Sequence, residues 1–146
     1  MTDFLKIADK TFTNRMLLGT GKFPSVQSLR DSIVLSGAEI VTVALRRVDI
    51  TKQAEGIISA IDRTKQLLLP NTSVAKNAEE AVRLARLARA AGCGNWLKLE
   101  VTPEPRYLLP DPIETLKAAE ILVAEGFIVL PYMNACLLYT SDAADE

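Results

Sequence analysis

Apolar positions fall in short runs separated by amphipathic stretches, and the two alternate along the chain. Phe4 to Thr13 reads as a small hairpin turning at Asp9-Lys10. Met16-Leu17-Leu18 is a short buried strand that ends in Gly19-Thr20-Gly21-Lys22. Ser25 suits the N-cap of a helix that closes at Gly37, a natural C′ glycine. Ile40 to Leu45 is a β-branched run and therefore a second strand, followed by Arg46-Arg47. A helix is predicted from about Ile50 to Arg63, with Asp49 or Thr51 near its start, and Gln66 to Pro70 is a third strand closed by Asn71-Thr72-Ser73. Asn77 followed by Glu80 has capping-box spacing, with Asn in place of the usual Ser or Thr. The helix it opens runs to about Ala91, and Ala81, Leu84, Ala85, Ala88 and Ala91 share one face. Arg83, Arg86 and Arg89 step around the remainder, which favours a solvated face over an anion site. Asn95 to Val101 forms the fourth strand after a Gly-Cys-Gly turn, and Thr102 to Pro110 is a proline-punctuated loop. Asp111-Pro112-Ile113-Glu114 combines an N-cap, a proline at N1 and an acid at N3, and the helix it starts stops at Gly126. Phe127 to Leu130 is a fifth strand.

Strand and helix alternate, which implies a parallel sheet with helical crossovers. Two α/β architectures compete. A (β/α)8 barrel needs about 250 residues, so this chain of 146 would hold just over half of one. A doubly wound open sheet would close within the available length.

The fourth strand is unusual for a buried one, because it carries two charges. Side chains alternate along a strand, so Trp96, Lys98 and Glu100 share one face and Leu97, Leu99 and Val101 the other. Opposite charges on a buried strand cost several kcal/mol in desolvation unless paired or used. One reading is a structural ion pair, or an edge strand with one wet face. The other is a catalytic lysine, since perturbed charges mark sites. A lysine in apolar surroundings loses charge more easily, and a neutral amine attacks a carbonyl to form a Schiff base. Glu100 would then move protons, or hold Lys98 as a cation and suppress the chemistry. Spacing alone does not choose.

Composition narrows the chemistry further. The sequence is 49% hydrophobic and 24% charged with a formal net charge of −1, which gives no field for nucleic acid or an anionic membrane. No apolar run approaches a membrane span, and Met1 to Lys6 lacks the build of a signal peptide, so a cytoplasmic location is expected. Cys93 and Cys136 make no disulfide framework or zinc pattern. There is no histidine, which removes serine–histidine and cysteine–histidine catalysis and most metal sites. No metal or cofactor is expected, and acid–base work falls to Lys, Glu, Asp or Tyr.

Gly19-Thr20-Gly21-Lys22 lacks phosphate-loop spacing, with one residue between its glycines and Phe23 after the lysine. A dinucleotide fingerprint would need glycine where Pro24 stands. A tight strand–helix turn remains, whose backbone N–H groups are available to a ligand. That leaves a binding module for a phosphorylated ligand as an alternative. The roles of Arg46, Arg47, Arg106 and Tyr107, all just past strand ends, are not readable.

Residues 136–146 continue neither period, and they resemble the translation of a sequencing adapter. They are expected to be a non-native tail, with residues 1–135 the N-terminal part of a single barrel domain. Without the tail, the 17 basic residues face 15 acidic ones instead of 18.

Several stretches together resemble the thiazole synthase of bacterial thiamin biosynthesis. They are Ile7 to Phe12, Gly19 to Phe23, Leu69 to Ser73 with Ala78 to Ala81, Asn95 to Glu100, Leu108 to Glu120 and Leu130 to Tyr132. The resemblance implies the (β/α)8 TIM-barrel family, here truncated to about the first five strands and four helices. It implies an enzyme, a sulfur-transferring transferase, that joins 1-deoxy-D-xylulose 5-phosphate, dehydroglycine and sulfur from a thiocarboxylated carrier protein into a thiazole phosphate. The family's Schiff-base lysine matches Lys98 and its neighbouring acid matches Glu100. Implied partners are the sugar phosphate, the sulfur-carrier protein, a dehydroglycine-forming enzyme and further copies of the chain, with no nucleic acid and no membrane. The family's second acid and phosphate-binding loops have no counterpart in this sequence, so this fragment is expected to be inactive in thiazole phosphate formation on its own.

Overall fold

A computed structural model describes residues 3–44 and 56–134. Arg46, Arg47, the start of the helix predicted from Ile50, Cys136 and the rest of residues 136–146 lie outside the described residues.

A two-stranded antiparallel hairpin opens the fold, β1 (Leu5–Ile7) with β2 (Lys10–Phe12). Then follow β3 (Leu17–Gly19), α1 (Val26–Ser36), β4 (Ile40–Ala44), a 3-10 turn (Ile57–Ala60), β5 (Leu67–Asn71), α2 (Ala78–Ala90), β6 (Trp96–Leu99), α3 (Pro112–Ala124) and β7 (Ile128–Pro131). Local chemistry sets the helix ends. Ser25 accepts from the Ser28 N–H, Asn77 from the Glu80 N–H, and Asp111 from the N–H groups of Ile113 and Glu114. Gly37 ends α1 in the left-handed region at φ 62°, where a side chain would be strained.

The helix predicted from Ile50 to Arg63 is corrected over its described part. Only Ile57–Ala60 coils, as a 3-10 turn, and Ile61 to Arg63 are not helical. The Asp62 carboxylate accepts from both the N–H and the hydroxyl of Thr64. Local bonds of this kind compete with helix continuation.

The five main strands lie in the order β3-β4-β5-β6-β7, every neighbouring pair parallel. A doubly wound sheet reverses its strand order at a switch point, and this one does not. The two faces are also unlike. Val41, Val43 and Leu68 pack with Leu29 and Ile33 of α1, and Leu97, Leu99 and Val101 pack with α2 and α3. Among the described residues, the other face carries no helix. Ile40, Leu69 and Trp96 there pack against Phe12 of the hairpin, with Leu67, Ile128 and Leu130 beside them. Sequential parallel strands whose described helices all lie on one face form an arc of a (β/α)8 barrel, here five strands and three described α-helices.

Candidate active site

The three central strands, β4, β5 and β6, change character along the helix-free face. Ile40 gives way to Thr42, Leu67 and Leu69 to Asn71, and Trp96 to Lys98 and Glu100. The apolar ends are closed by the hairpin, with the Phe12 ring edge-on to Trp96 at 6.1 Å and 88°. The polar ends lie toward the C-terminal ends of the strands, where barrel enzymes hold their sites.

Lys98 pairs in register with Asn71 of β5 on one side and Leu130 of β7 on the other. Its Nζ stands 2.9 Å from Glu100 Oε1 and 5.4 Å from the centroid of the Tyr132 ring. Glu100 is 13% exposed and Lys98 33%, so the acid is sheltered while the amine still reaches solvent. The ion pair read from the sequence therefore exists, on the face and at the strand end where the catalytic reading needs it. The two readings are compatible, because a carboxylate in contact with an ammonium is also placed to take its proton.

Around the pair, polar side chains form a connected row. The Asn71 amide donates to Thr42 Oγ1 at 3.1 Å and its oxygen accepts from the Ser73 N–H. The Thr20 hydroxyl and N–H both donate to the Thr42 carbonyl. Within Gly19-Thr20-Gly21-Lys22, the Thr20 donors are thus turned into the sheet. Tyr132 reaches the Leu108 carbonyl at 3.4 Å, linking the end of β7 to the loop after β6. In that loop Arg106 lies against its own neighbour, the Tyr107 ring.

Other candidate groups are accounted for elsewhere. Cys93 is buried, and burial pushes its thiol up, which removes it as a nucleophile. Among the described residues, no group of three or more His, Cys, Asp or Glu could hold a metal ion. No described helix is long and apolar enough to cross a membrane. A groove of about 1350 Å³ runs between α2 and α3, behind the sheet and away from Lys98. Arg86 and Arg89, read as a solvated face, do more than that. Arg86 hydrogen-bonds Glu125, and Arg89 donates to the Glu125 carbonyl at 3.0 Å and lies over the Phe127 ring at 4.3 Å.

Sequence reasoning missed Thr72 and Asn71 as part of this site. Their polar character was visible, but their partners lie 28 and 29 positions away.

The family described as "Thiazole biosynthesis protein ThiG" matches residues 6–145. The chain belongs to this family. Thiazole synthase 2 of Syntrophotalea carbinolica is 66% identical over 133 residues, which is 91% of this chain and 52% of the relative. The thiazole synthase of Syntrophobacter fumaroxidans is 66% identical over 131 residues, covering 90% of this chain and 51% of the relative. That of Pelotomaculum thermopropionicum is 53% identical over 145 residues, covering 99% and 56%. The chain thus spans about half the length of the curated thiazole synthases it matches. Among solved structures, the BexX/CysO complex of Amycolatopsis orientalis superposes with a TM-score of 0.69 at 27% identity, over 88% of this chain and 53% of that one.

Proposed function

We propose that this chain carries the imine-forming half of a thiazole synthase site, with Lys98 as nucleophile and Glu100 as its proton carrier. The observation that carries the reading is the 2.9 Å Lys98–Glu100 contact on the helix-free face, at the C-terminal end of β6. Membership of the thiazole biosynthesis family supports the substrate, 1-deoxy-D-xylulose 5-phosphate.

The resting ammonium passes a proton to the Glu100 carboxylate, which frees the amine. Nζ then attacks the ketone carbon C2 of the sugar phosphate, and the new C–N bond gives a carbinolamine. Glu100, now the acid, protonates the departing hydroxyl, water leaves, and a protonated imine remains beside a carboxylate. That carboxylate removes the proton on C3, and the electron pair moves toward the imine nitrogen to give an enaminol. One carboxylate within hydrogen-bond reach serves each step in turn. Asn71 flanks the lysine, and Thr42 lies one strand further on and accepts from the Asn71 amide, so both set hydrogen-bonding groups suited to sugar hydroxyls on this face.

In the complete enzyme the later steps take dehydroglycine from its forming enzyme and sulfur from a thiocarboxylated carrier protein, in the cytoplasm, within a homo-oligomer. A neighbour solved as a two-protein complex supports the carrier partner.

The test is carbon-13 NMR with sugar phosphate labelled at C2. An imine carbon signal is expected with the chain and not with Lys98→Ala. A binding module at Gly19 to Lys22 would instead perturb amides there and leave the ketone signal unchanged.

A further inference from the structure

Glu100 lies one residue beyond β6, in a break of its pairing with the β5 segment, which resumes past it at a parallel bridge between Ala75 and Val101. Asn71 and Lys98 are the last ladder pair, and the Thr72 N–H donates to the Lys98 carbonyl at 3.2 Å. A continuing parallel ladder would next bring the Glu100 N–H to the Thr72 carbonyl. That carbonyl is taken, because it accepts the Ala75 N–H at 3.0 Å across a tight turn. Val74 occupies the third position of this turn at φ 76°, left-handed backbone that a β-branched residue rarely adopts. The Thr72 hydroxyl stands in for the lost carbonyl. It accepts from the Glu100 N–H at 2.8 Å and donates to the Glu100 carbonyl at 2.8 Å. Thr72 is fully buried, so water does not compete for either bond.

We propose that Thr72 is a positioning residue, whose hydroxyl clasps the backbone of Glu100 and so holds its carboxylate against Lys98. This rests on the imine reading of Lys98 and adds a residue that touches neither the amine nor the substrate. Within this break, between the Asn71–Lys98 pair and the Ala75–Val101 bridge, the hydroxyl gives Glu100 backbone bonds at both its N–H and its carbonyl. A carboxylate that must take a proton from Nζ, return it to a leaving hydroxyl and then take one from C3 needs one fixed location. Misplacement by about 1 Å is enough to cost about 100-fold in such a step.

The experiment uses the 146-residue chain and its Thr72→Val and Thr72→Ser variants. Amide exchange at Glu100 is read by NMR, and deuterium uptake at C3 of 1-deoxy-D-xylulose 5-phosphate is read alongside borohydride-trapped imine. Thr72→Val is expected to speed Glu100 amide exchange about tenfold. It is also expected to slow C3 uptake about 10- to 100-fold with the trapped fraction unchanged. Thr72→Ser, which keeps the hydroxyl, is expected to restore both. Should Thr72→Val not fold, the wild-type Glu100 amide decides: protection supports the clasp, and open-loop exchange overturns it. Unchanged uptake in a folded Thr72→Val chain overturns the positioning role. An absent imine in the wild type overturns the Lys98 reading and this role with it, and the amide result separates that failure from a missing clasp.

Discussion

Glu114 of α3 accepts the backbone N–H of Ala78, the first residue of α2, at 2.8 Å. One acid thus stands in the first turn of its own helix and satisfies an orphan donor of the neighbouring one. Its hydrogen bond with Lys117, and then the Ala78 N–H, hold its carboxyl below the usual carboxylate range. A depressed folded pKa adds stability that is present above the unfolded value of about 4.3 and lost as pH falls through the folded value. Glu114→Ala is therefore expected to lower the urea midpoint at neutral pH, with the gap to wild type closing in acid. Parallel urea titrations at the two pH values check this, and an equal gap at both would assign Glu114 to packing instead.

Phe12 seals the apolar end of the helix-free face by its edge-on contact with Trp96. Phe12→Ala is expected to cost about 3–5 kcal/mol, as for other large-to-small changes in cores. Trp96 is the only tryptophan, so near-ultraviolet circular dichroism reports its ring directly. Phe12→Leu should weaken that signal at a smaller stability loss.

Gly37 closes α1 at φ 62°, and a Cβ there would stand 3.4 Å from the Asn14 amide nitrogen. That amide donates to the Ser36 and Gly37 carbonyls. Gly37→Ala is expected to cost about 1–2 kcal/mol from backbone strain. Chemical denaturation checks it, with the capping loss in Ser25→Ala, about 1 kcal/mol, as the comparison.

Most elements were legible because their signals are local. Ser25, Asn77, Asp111 and Gly37 each cap the helix that the sequence assigns to them. The alternation through Trp96 to Val101 placed Lys98 and Glu100 together on one face, and they stand there in contact. What escaped depends on partners distant in sequence. Thr72 read as a loop residue because nothing near it names Glu100, and Glu114 read only as the N3 acid of its own helix because Ala78 lies 36 positions away. The stretch after Gly56 escaped for the opposite reason, since a local Asp62–Thr64 turn outweighs a helical period.

Barrel enzymes commonly grip phosphate with loops after strands 7 and 8, and this chain spans about half the length of its curated relatives. It is therefore expected to form the imine without completing the thiazole. Supplying all substrates and the carrier protein and assaying for thiazole phosphate checks this, and detectable product would contradict it.

The most direct measurement of the central claim is peptide mapping of the chain after borohydride reduction with 1-deoxy-D-xylulose 5-phosphate. The account predicts one reduced sugar-phosphate adduct, on Lys98, that disappears in Lys98→Arg. An adduct on another lysine, or none while Lys98 remains paired with Glu100, would contradict it.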